Sequence, residues 1–159
     1  MALGEPNPAP LSGEQISAGW WPESVQSDDG TSISNISSTT FITGSPVVSV
    51  TFVAPKSGRV GVCIGGGLVE QSAGNRAWIT YELYLGTSSS GTLIHAGVEP
   101  RGVNTSGDTT ASGDQTLGNM SMEERLTPGS TYYAQIVYRV SGGTTNDITR
   151  RRIIVIPLP

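Results

Sequence analysis

The stretch PVVSVTFVAPKSGRVGVCIGGG, residues 46–67, decides the fold class. In its first half every second residue is apolar, which predicts a β-strand with one buried face. The segment APKSG, residues 54–58, predicts a turn. After the turn the alternation resumes, so a second strand follows the first. The predicted core positions of these two strands are Val48, Val50, Phe52, Val60, Val62 and Ile64.

The same period-two alternation recurs along the rest of the chain. It predicts strands over residues 78–85, 92–96, 132–140 and 148–156, while residues 117–126 fit either a strand or one helical turn. Glycine-rich turns separate these segments, and about eight short strands at even spacing are typical of a sandwich or barrel. The predicted core is completed by Tyr81, Leu83, Ile136 and Tyr138. We therefore expect an all-β, antiparallel domain over residues 36–159.

Residues 1–35 differ in composition from the rest of the chain. They contain four prolines and four glycines, which disfavour long regular elements. Their apolar residues are few, yet two adjacent tryptophans are among them. Such a segment cannot bury a core of its own, so its ordering must be offset by contact with another protein. We predict an extended docking arm with anchors at Leu11, Ile16, Trp20 and Trp21.

Length and charge exclude several classes of protein. A chain of 159 residues suits one domain, and its net charge of −4 disfavours binding to nucleic acid. No apolar run approaches the roughly 20 residues of a membrane span, so no membrane insertion is expected. The first residues lack a cationic region followed by an apolar stretch, so secretion by a signal peptide is not indicated.

The chain offers little material for catalysis. Its one cysteine, Cys63, alternates with apolar residues and is expected to be a small packed thiol. Its one histidine, His95, lies in an apolar stretch near a strand end and is expected to be structural. Glu123 and Glu124 are expected to form a solvated edge rather than a glycosidase pair. We expect no catalytic residue, no cofactor and no enzyme activity.

Two possible ligand sites rest on glycines and carboxylates in loops. The run Gly65 to Gly67 lacks the Lys-Ser/Thr pair and the helix of a phosphate-binding loop, so a bulge or close backbone approach is favoured. Asp108 and Asp114, together with Asp28 and Asp29 before Gly30, are predicted to be loop carboxylates, the first two in a loop over residues 106–114. The binding of a calcium ion there is left open, although the dense alternation of oxygen ligands that is typical of a calcium-binding loop is missing. No other metal site is expected.

Aromatic and basic residues on the strands indicate a surface for a partner. Trp78 and Tyr84 lie opposite the apolar face of their strand, where they suit either a neighbouring subunit or a sugar ring. Arg150, Arg151 and Arg152 are the densest positive charge in the chain. Because adjacent strand residues point to alternating faces, they suit an interface or ion pairs within a sheet better than a phosphate surface. These five residues are the predicted oligomer or ligand face.

The order of several motifs resembles a family of proteins from bacteriophages that infect Actinobacteria. The motifs are ISSTTFITGSPVVSVTFVAPKSGRVGVCIGG (36–66), LTPGSTYYAQIVYRVSGGTT (126–145) and DITRRRIIVIPLP (147–159). The family comprises β-sandwich domains of structural and tail-associated virion proteins. The resemblance implies a jelly-roll-like two-sheet sandwich, often trimeric, and it supplies no catalytic residues.

Together these observations lead to three functional hypotheses. The first is a non-enzymatic phage structural protein on the virion exterior, made in the host cytoplasm, which decorates the capsid and docks through its arm. Its partners would be the major capsid protein or tail proteins and further copies of itself, with a trimer favoured. The second is a minor tail or tail-tip protein that contacts the host envelope or its glycans. The third is a stand-alone carbohydrate-binding module.

Overall fold

The computed structural model describes residues 22–69, 74–105, 114–142 and 146–159. This part of the chain forms ten strands and one short 3-10 turn, Glu99–Arg101, and none of its helices is long and apolar enough to cross a membrane. The strands are β1 (Val25–Asp29), β2 (Ile33–Ile36), β3 (Ser49–Val53), β4 (Val60–Val69), β5 (Ala77–Leu85), β6 (Thr92–His95), β7 (Val103–Asn104), β8 (Asp114–Glu123), β9 (Thr131–Val140) and β10 (Asn146–Pro157).

The strands form two antiparallel sheets that enclose one core. Sheet A has the order β1-β10-β4-β8, and β2 also pairs with β10. Sheet B has the order β3-β9-β5-β6, and β7 also pairs with β5. The prediction of an all-β, antiparallel two-sheet sandwich is therefore confirmed. Its core includes all ten predicted positions, because the alternation of apolar residues turns one face of each strand inward.

The segment that fitted either a strand or a helical turn belongs to a long strand. β8 pairs with β4 along its whole length, from Asp114 opposite Val69 to Glu123 opposite Val60. Its sequence shows only a weak apolar alternation, since Leu117 is the one aliphatic residue that packs against the core. Pairing with β4 therefore decides its conformation more than its own residues do.

Two strands lie within the segment predicted to be an arm. β1 pairs with β10, from Val25 opposite Val155 to Asp29 opposite Arg151, and β2 pairs with the same strand. The prolines of the predicted arm all precede Val25, whereas residues 25–36 contain none. The composition of residues 1–35 taken as a whole did not show that the prolines are confined to its first part. The sandwich therefore begins at residue 25 rather than 36, and a docking arm can include only the residues before it.

Candidate functional site

Four side chains from different elements meet at the open edge of the sandwich, where β8 ends sheet A and β6 ends sheet B. Glu123, on β8, is only 3% exposed. Its carboxylate lies 2.8 Å from Nε2 of His95 and 3.4 Å from Nε of Arg101. The hydroxyl of Tyr81, on β5, donates a hydrogen bond to the same carboxylate. We call this group the edge cluster, and it joins the two sheets.

The hydrogen bonds of the edge cluster form a consistent network. Nη2 of Arg101 lies 3.2 Å from Nδ1 of His95. Because a guanidinium can only donate, Nδ1 accepts, and the proton of a neutral imidazole then lies on Nε2, facing Glu123. Burial raises the pKa of Tyr81, and the hydrogen bond to Glu123 raises it further, so its hydroxyl remains a donor. Three donors thus offset the cost of burying the Glu123 charge.

The edge cluster corrects one prediction about the two adjacent glutamates. Glu124 is solvated as expected, with 56% of its side chain exposed and an ion pair to Arg59 at 3.3 Å. Glu123 is buried, so the prediction of a solvated edge is wrong for it. Its partners lie on three other elements, and no sequence spacing could connect them. The structure places His95 in a contact that holds the two sheets together.

A second buried ion pair lies at the opposite edge of sheet A. Arg151, on β10, is 1% exposed; its Nη2 pairs with Oδ2 of Asp29, and its Nη1 donates to the backbone oxygen of Pro46 at 2.8 Å. Burial alone would raise the pKa of Asp29, but hydrogen bonds from Thr31 and the charge of Arg151 hold it below its ordinary value. Arg151 therefore connects β1 and β10 to the loop before β3.

The three consecutive arginines have different environments. Arg150 is exposed. It lies at a register shift between β10 and β4, and its backbone φ there is 50°. Arg152 is also exposed, and its Nη2 donates to Oε1 of Gln26 at 2.7 Å. Arg151 is buried and cannot contact a partner. The predicted oligomer or ligand face is therefore corrected: Arg150 and Arg152 remain available to it, and Arg151 is removed.

Trp78 is likewise removed from the predicted face. It points away from the core as predicted, but it is only 7% exposed. The guanidinium of Arg139 lies 4.3 Å from the centre of its ring, and the same guanidinium lies 5.3 Å from the ring of Phe41. The guanidinium of Arg139 thus lies over the tryptophan ring in a cation–π contact. The alternation of β5 indicated the face of the sheet correctly but gave no information about the loops that cross it.

Tyr84 lies on an open part of the outer face of sheet B. It is opposite Tyr133 of β9, with ring centres 6.3 Å apart. Its hydroxyl donates to Oε2 of Glu82 at 2.6 Å, and Nε2 of Gln135 donates to the same oxygen at 2.9 Å. Burial, followed by the hydrogen bond to Glu82, raises the pKa of Tyr84 to about 12. We call these four residues the tyrosine face.

The outer face of sheet A carries an apolar surface that the sequence analysis did not identify. In the first of two rows across the sheet, Cys63 lies between Met120 and Ile154; in the second, Gly61 lies between Met122 and Ile156. Met120 and Met122 are 62% and 52% exposed, and Cys63 is half-buried on this face rather than packed in the core. A Cβ added to Gly61 would contact Sδ of Met120 and Cδ1 of Leu158, so these side chains extend over the glycine. We call the surface of Cys63, Met120, Met122, Ile154, Ile156 and Leu158 the sheet A patch.

Two predicted sites lie largely or wholly outside the described residues. The predicted anchors Leu11, Ile16, Trp20 and Trp21 precede residue 22, where the described chain begins. The loop considered for calcium covers residues 106–114, of which 106–113 lie outside the described residues, while Asp114 is the first residue of β8, opposite Val69. Within the described ranges, no group of three or more His, Cys, Asp or Glu side chains is arranged to hold a metal ion.

The comparisons with known proteins found no matching family model and no matching curated protein. Among solved structures, the chain is similar to a chain in the structure of infectious bursal disease virus, Gx strain, with a TM-score of 0.45, 15% identity and coverage of 96% of this chain and 38% of that chain. A chain in the structure of the Gt strain gives a TM-score of 0.36 and 16% identity, with coverage of 97% and 37%. This chain thus spans less than two-fifths of the length of either.

Proposed function

We propose that this chain is a non-enzymatic structural protein of a bacteriophage virion, which decorates the capsid exterior and attaches through residues 1–24. The observation that carries the proposal is the placement of its exposed apolar side chains. Met120 and Met122 lie on the outer face of sheet A, and Val53 and Leu93, each 48% exposed, lie on the sheet B side. Exposed apolar surface on both sides of a small domain suits a protein that is surrounded by other proteins.

The use of buried charges supports a structural role. Glu123 and Arg151 are the charged residues among the buried side chains of the described chain, and both form ion pairs that connect separate strands. The resemblance of residues 36–159 to phage structural domains adds the virion context. The proposed partners are the major capsid protein, or tail proteins, and further copies of the chain, with a trimer favoured.

Attachment to particles tests this proposal. Replacing both Trp20 and Trp21 by Ala is expected to weaken binding to purified particles by roughly several hundredfold, because buried tryptophans at interfaces often contribute about 2 kcal/mol or more each and 1.4 kcal/mol is a factor of about ten. Binding is measured by co-sedimentation over a concentration series. The matched control is Trp78→Phe, which alters a tryptophan already covered by Arg139 within the domain. Full binding by the double variant would exclude the arm as the attachment site.

The tyrosine face supports a second candidate function, the binding of a host glycan by a minor tail protein. Two tyrosine rings lie side by side next to a carboxylate that Tyr84 and Gln135 hold in place. Aromatic rings beside fixed polar groups provide an apolar surface and directed hydrogen bonds at once. On a glycan array the chain would then bind neutral sugars, and Tyr133→Ala would abolish the signal, whereas Met120→Ala on the opposite sheet would leave it unchanged. An array without signal would contradict this candidate.

A further inference from the structure

We infer that the outer face of sheet A is a contact surface between two copies of this chain, which pack face to face about a two-fold axis. The inference goes beyond the proposed function and does not rest on it, because it concerns the free protein. A two-fold contact is also separate from the proposed trimer, which requires a different surface. The shape, the charge and the area of this face each support the inference.

A row of projecting side chains lies beside a row of glycines on this face. Met120 and Cys63 belong to the first row, which we call the ridge, and Ile154 completes it on β10. Two residues further along the strands, Gly118 lies opposite Gly65 on the same face. Apart from its chain neighbours, a Cβ added at either glycine would meet only backbone atoms within 4 Å, so no side chain fills this glycine row. A ridge and a hollow therefore lie next to each other.

The hollow has room for side chains from another molecule. A cavity of about 430 Å³ lies there, lined in part by Gly65, Thr116 and residues 28–30 and 150–152. Methionine side chains are long and flexible, and they fill irregular spaces well. Met120, which is 62% exposed, is therefore a suitable occupant of the hollow when it comes from a second copy.

A two-fold axis brings the ridge of each copy onto the glycine row of the other. The axis that does this lies between the two copies and crosses the strands between the two rows. In such an arrangement one surface is its own partner, so every contact is made twice. Stacked sheets lie about 10 Å apart, so a ridge needs a hollow on the facing sheet if the two faces are to approach that closely. The face therefore suits a second copy of itself better than an unrelated flat surface.

Two arginines at the margin of this face have acidic neighbours on their own chain. Nε of Arg59 lies 3.3 Å from Oε1 of Glu124, and Arg152 lies opposite Asp28 in the register of β1 and β10. A second copy therefore covers the face without leaving either arginine unbalanced, which would be costly. Recognition of a charged partner would instead need a margin with unbalanced charge. The charge distribution thus favours an apolar contact between like surfaces.

The area of the face is sufficient for a dimer of moderate stability. Four strands and residues 116–122 of β8 define it. At about 4.8 Å per strand and 3.4 Å per residue, it measures roughly 19 by 24 Å. Two copies then bury roughly 900 Å² before the relief of the side chains is counted, close to the lower limit of about 1,000 Å² for specific interfaces. We therefore expect a dissociation constant on the order of micromolar.

Cys63 provides a direct probe, because it lies in the ridge and is the only cysteine in the sequence. In the inferred dimer the two Cys63 thiols lie on either side of the axis, so a bismaleimide with a short spacer is expected to link them. The yield of linked dimer should rise with protein concentration over the micromolar range. Met120→Glu is expected to weaken association at least about tenfold, because it buries a charge without a partner. The matched control is Val53→Glu, at a 48% exposed position of sheet B, which is expected to leave the yield unchanged.

A further variant, Gly118→Leu, distinguishes a specific fit from general adhesion between apolar surfaces. The added side chain fills the hollow, so it is expected to weaken the two-fold contact although it enlarges the apolar surface. Sedimentation velocity measures the association of each variant, and far-UV circular dichroism checks that each is folded. Association of Gly118→Leu equal to or stronger than that of the unaltered protein would overturn the inference. A monomer throughout the micromolar range would also overturn it, whatever the reactivity of Cys63. Both readouts use the free protein, so they are independent of whether the chain attaches to particles.

Discussion

Replacing Glu123 by Ala is expected to lower the free energy of unfolding by about 3–5 kcal/mol, the range found when one partner of a buried ion pair is removed. The substitution leaves Arg101, His95 and Tyr81 without the carboxylate that accepts their hydrogen bonds. It also removes the contact that joins the end strands of the two sheets. Equilibrium unfolding in urea, followed by far-UV circular dichroism, measures the change.

The neighbouring residue provides the control for this prediction. Glu124→Ala removes a carboxylate whose side chain is 56% exposed and whose partner, Arg59, is also partly exposed. Surface ion pairs of this kind contribute at most about 1 kcal/mol to stability. The control variant should therefore have nearly the same free energy of unfolding as the unaltered protein. If the two variants lost the same stability, the edge cluster would not be the main connection at this edge. Glu123→Gln, which keeps the shape but not the charge, is expected to lie between them.

Replacing Arg151 by Ala is expected to lower the free energy of unfolding by about 2–5 kcal/mol, the range for truncating a large, fully buried side chain, because the change opens a space in the core. It also leaves Asp29 without its partner. The guanidinium also donates to Pro46, so the loop before β3 loses its connection to sheet A. Arg152→Ala is the matched control, since its side chain is exposed and donates a hydrogen bond to Gln26 at the surface. We expect it to change stability by less than about 0.5 kcal/mol.

The pH dependence of stability gives an independent readout for the same pair. The pKa of Asp29 in the folded protein is held below its ordinary value by Thr31 and Arg151. The stabilisation is therefore complete above the unfolded pKa of roughly 4 and is lost as the pH falls through the folded value. Removing Arg151 should make stability less sensitive to acidification in this range. An unchanged pH profile in Arg151→Ala would contradict the assigned role of the pair.

The alternation of apolar residues predicted an all-β sandwich or barrel and ten positions of its core, and the family resemblance favoured the two-sheet sandwich. Alternation in β3 and β4 identified buried positions because one face of each strand turns inward, and no knowledge of the partner strands was needed. β1 and β2 were missed because they have few apolar residues, namely Val25, Ile33 and Ile36, which do not alternate at period two, and because prolines precede them. They are strands because β10 provides pairing partners, which is a property of the topology.

The candidate sites depended on information that a linear pattern does not contain. His95 and Glu123 lie on the end strands of different sheets, so their contact requires the complete arrangement of strands. Trp78 faces outward, as the alternation of β5 indicated, but it is almost buried and the guanidinium of Arg139 lies over its ring. The sheet A patch was missed because β8 has too few apolar residues to reveal which of its faces is inward. Tyr84 was correctly placed on the outer face of its strand.

The position of β10 has a consequence for how the chain acquires its structure. This strand occupies an interior place in sheet A, between β1 and β4, although it follows the other nine described strands in sequence. On the ribosome, β1 and β4 thus lack their shared neighbour until residue 157 has emerged. Pairing between residues so distant in sequence also carries a large loop-closure cost, which slows folding. We expect sheet A to form late, after release of these residues from the exit tunnel, with sheet B available earlier as a template.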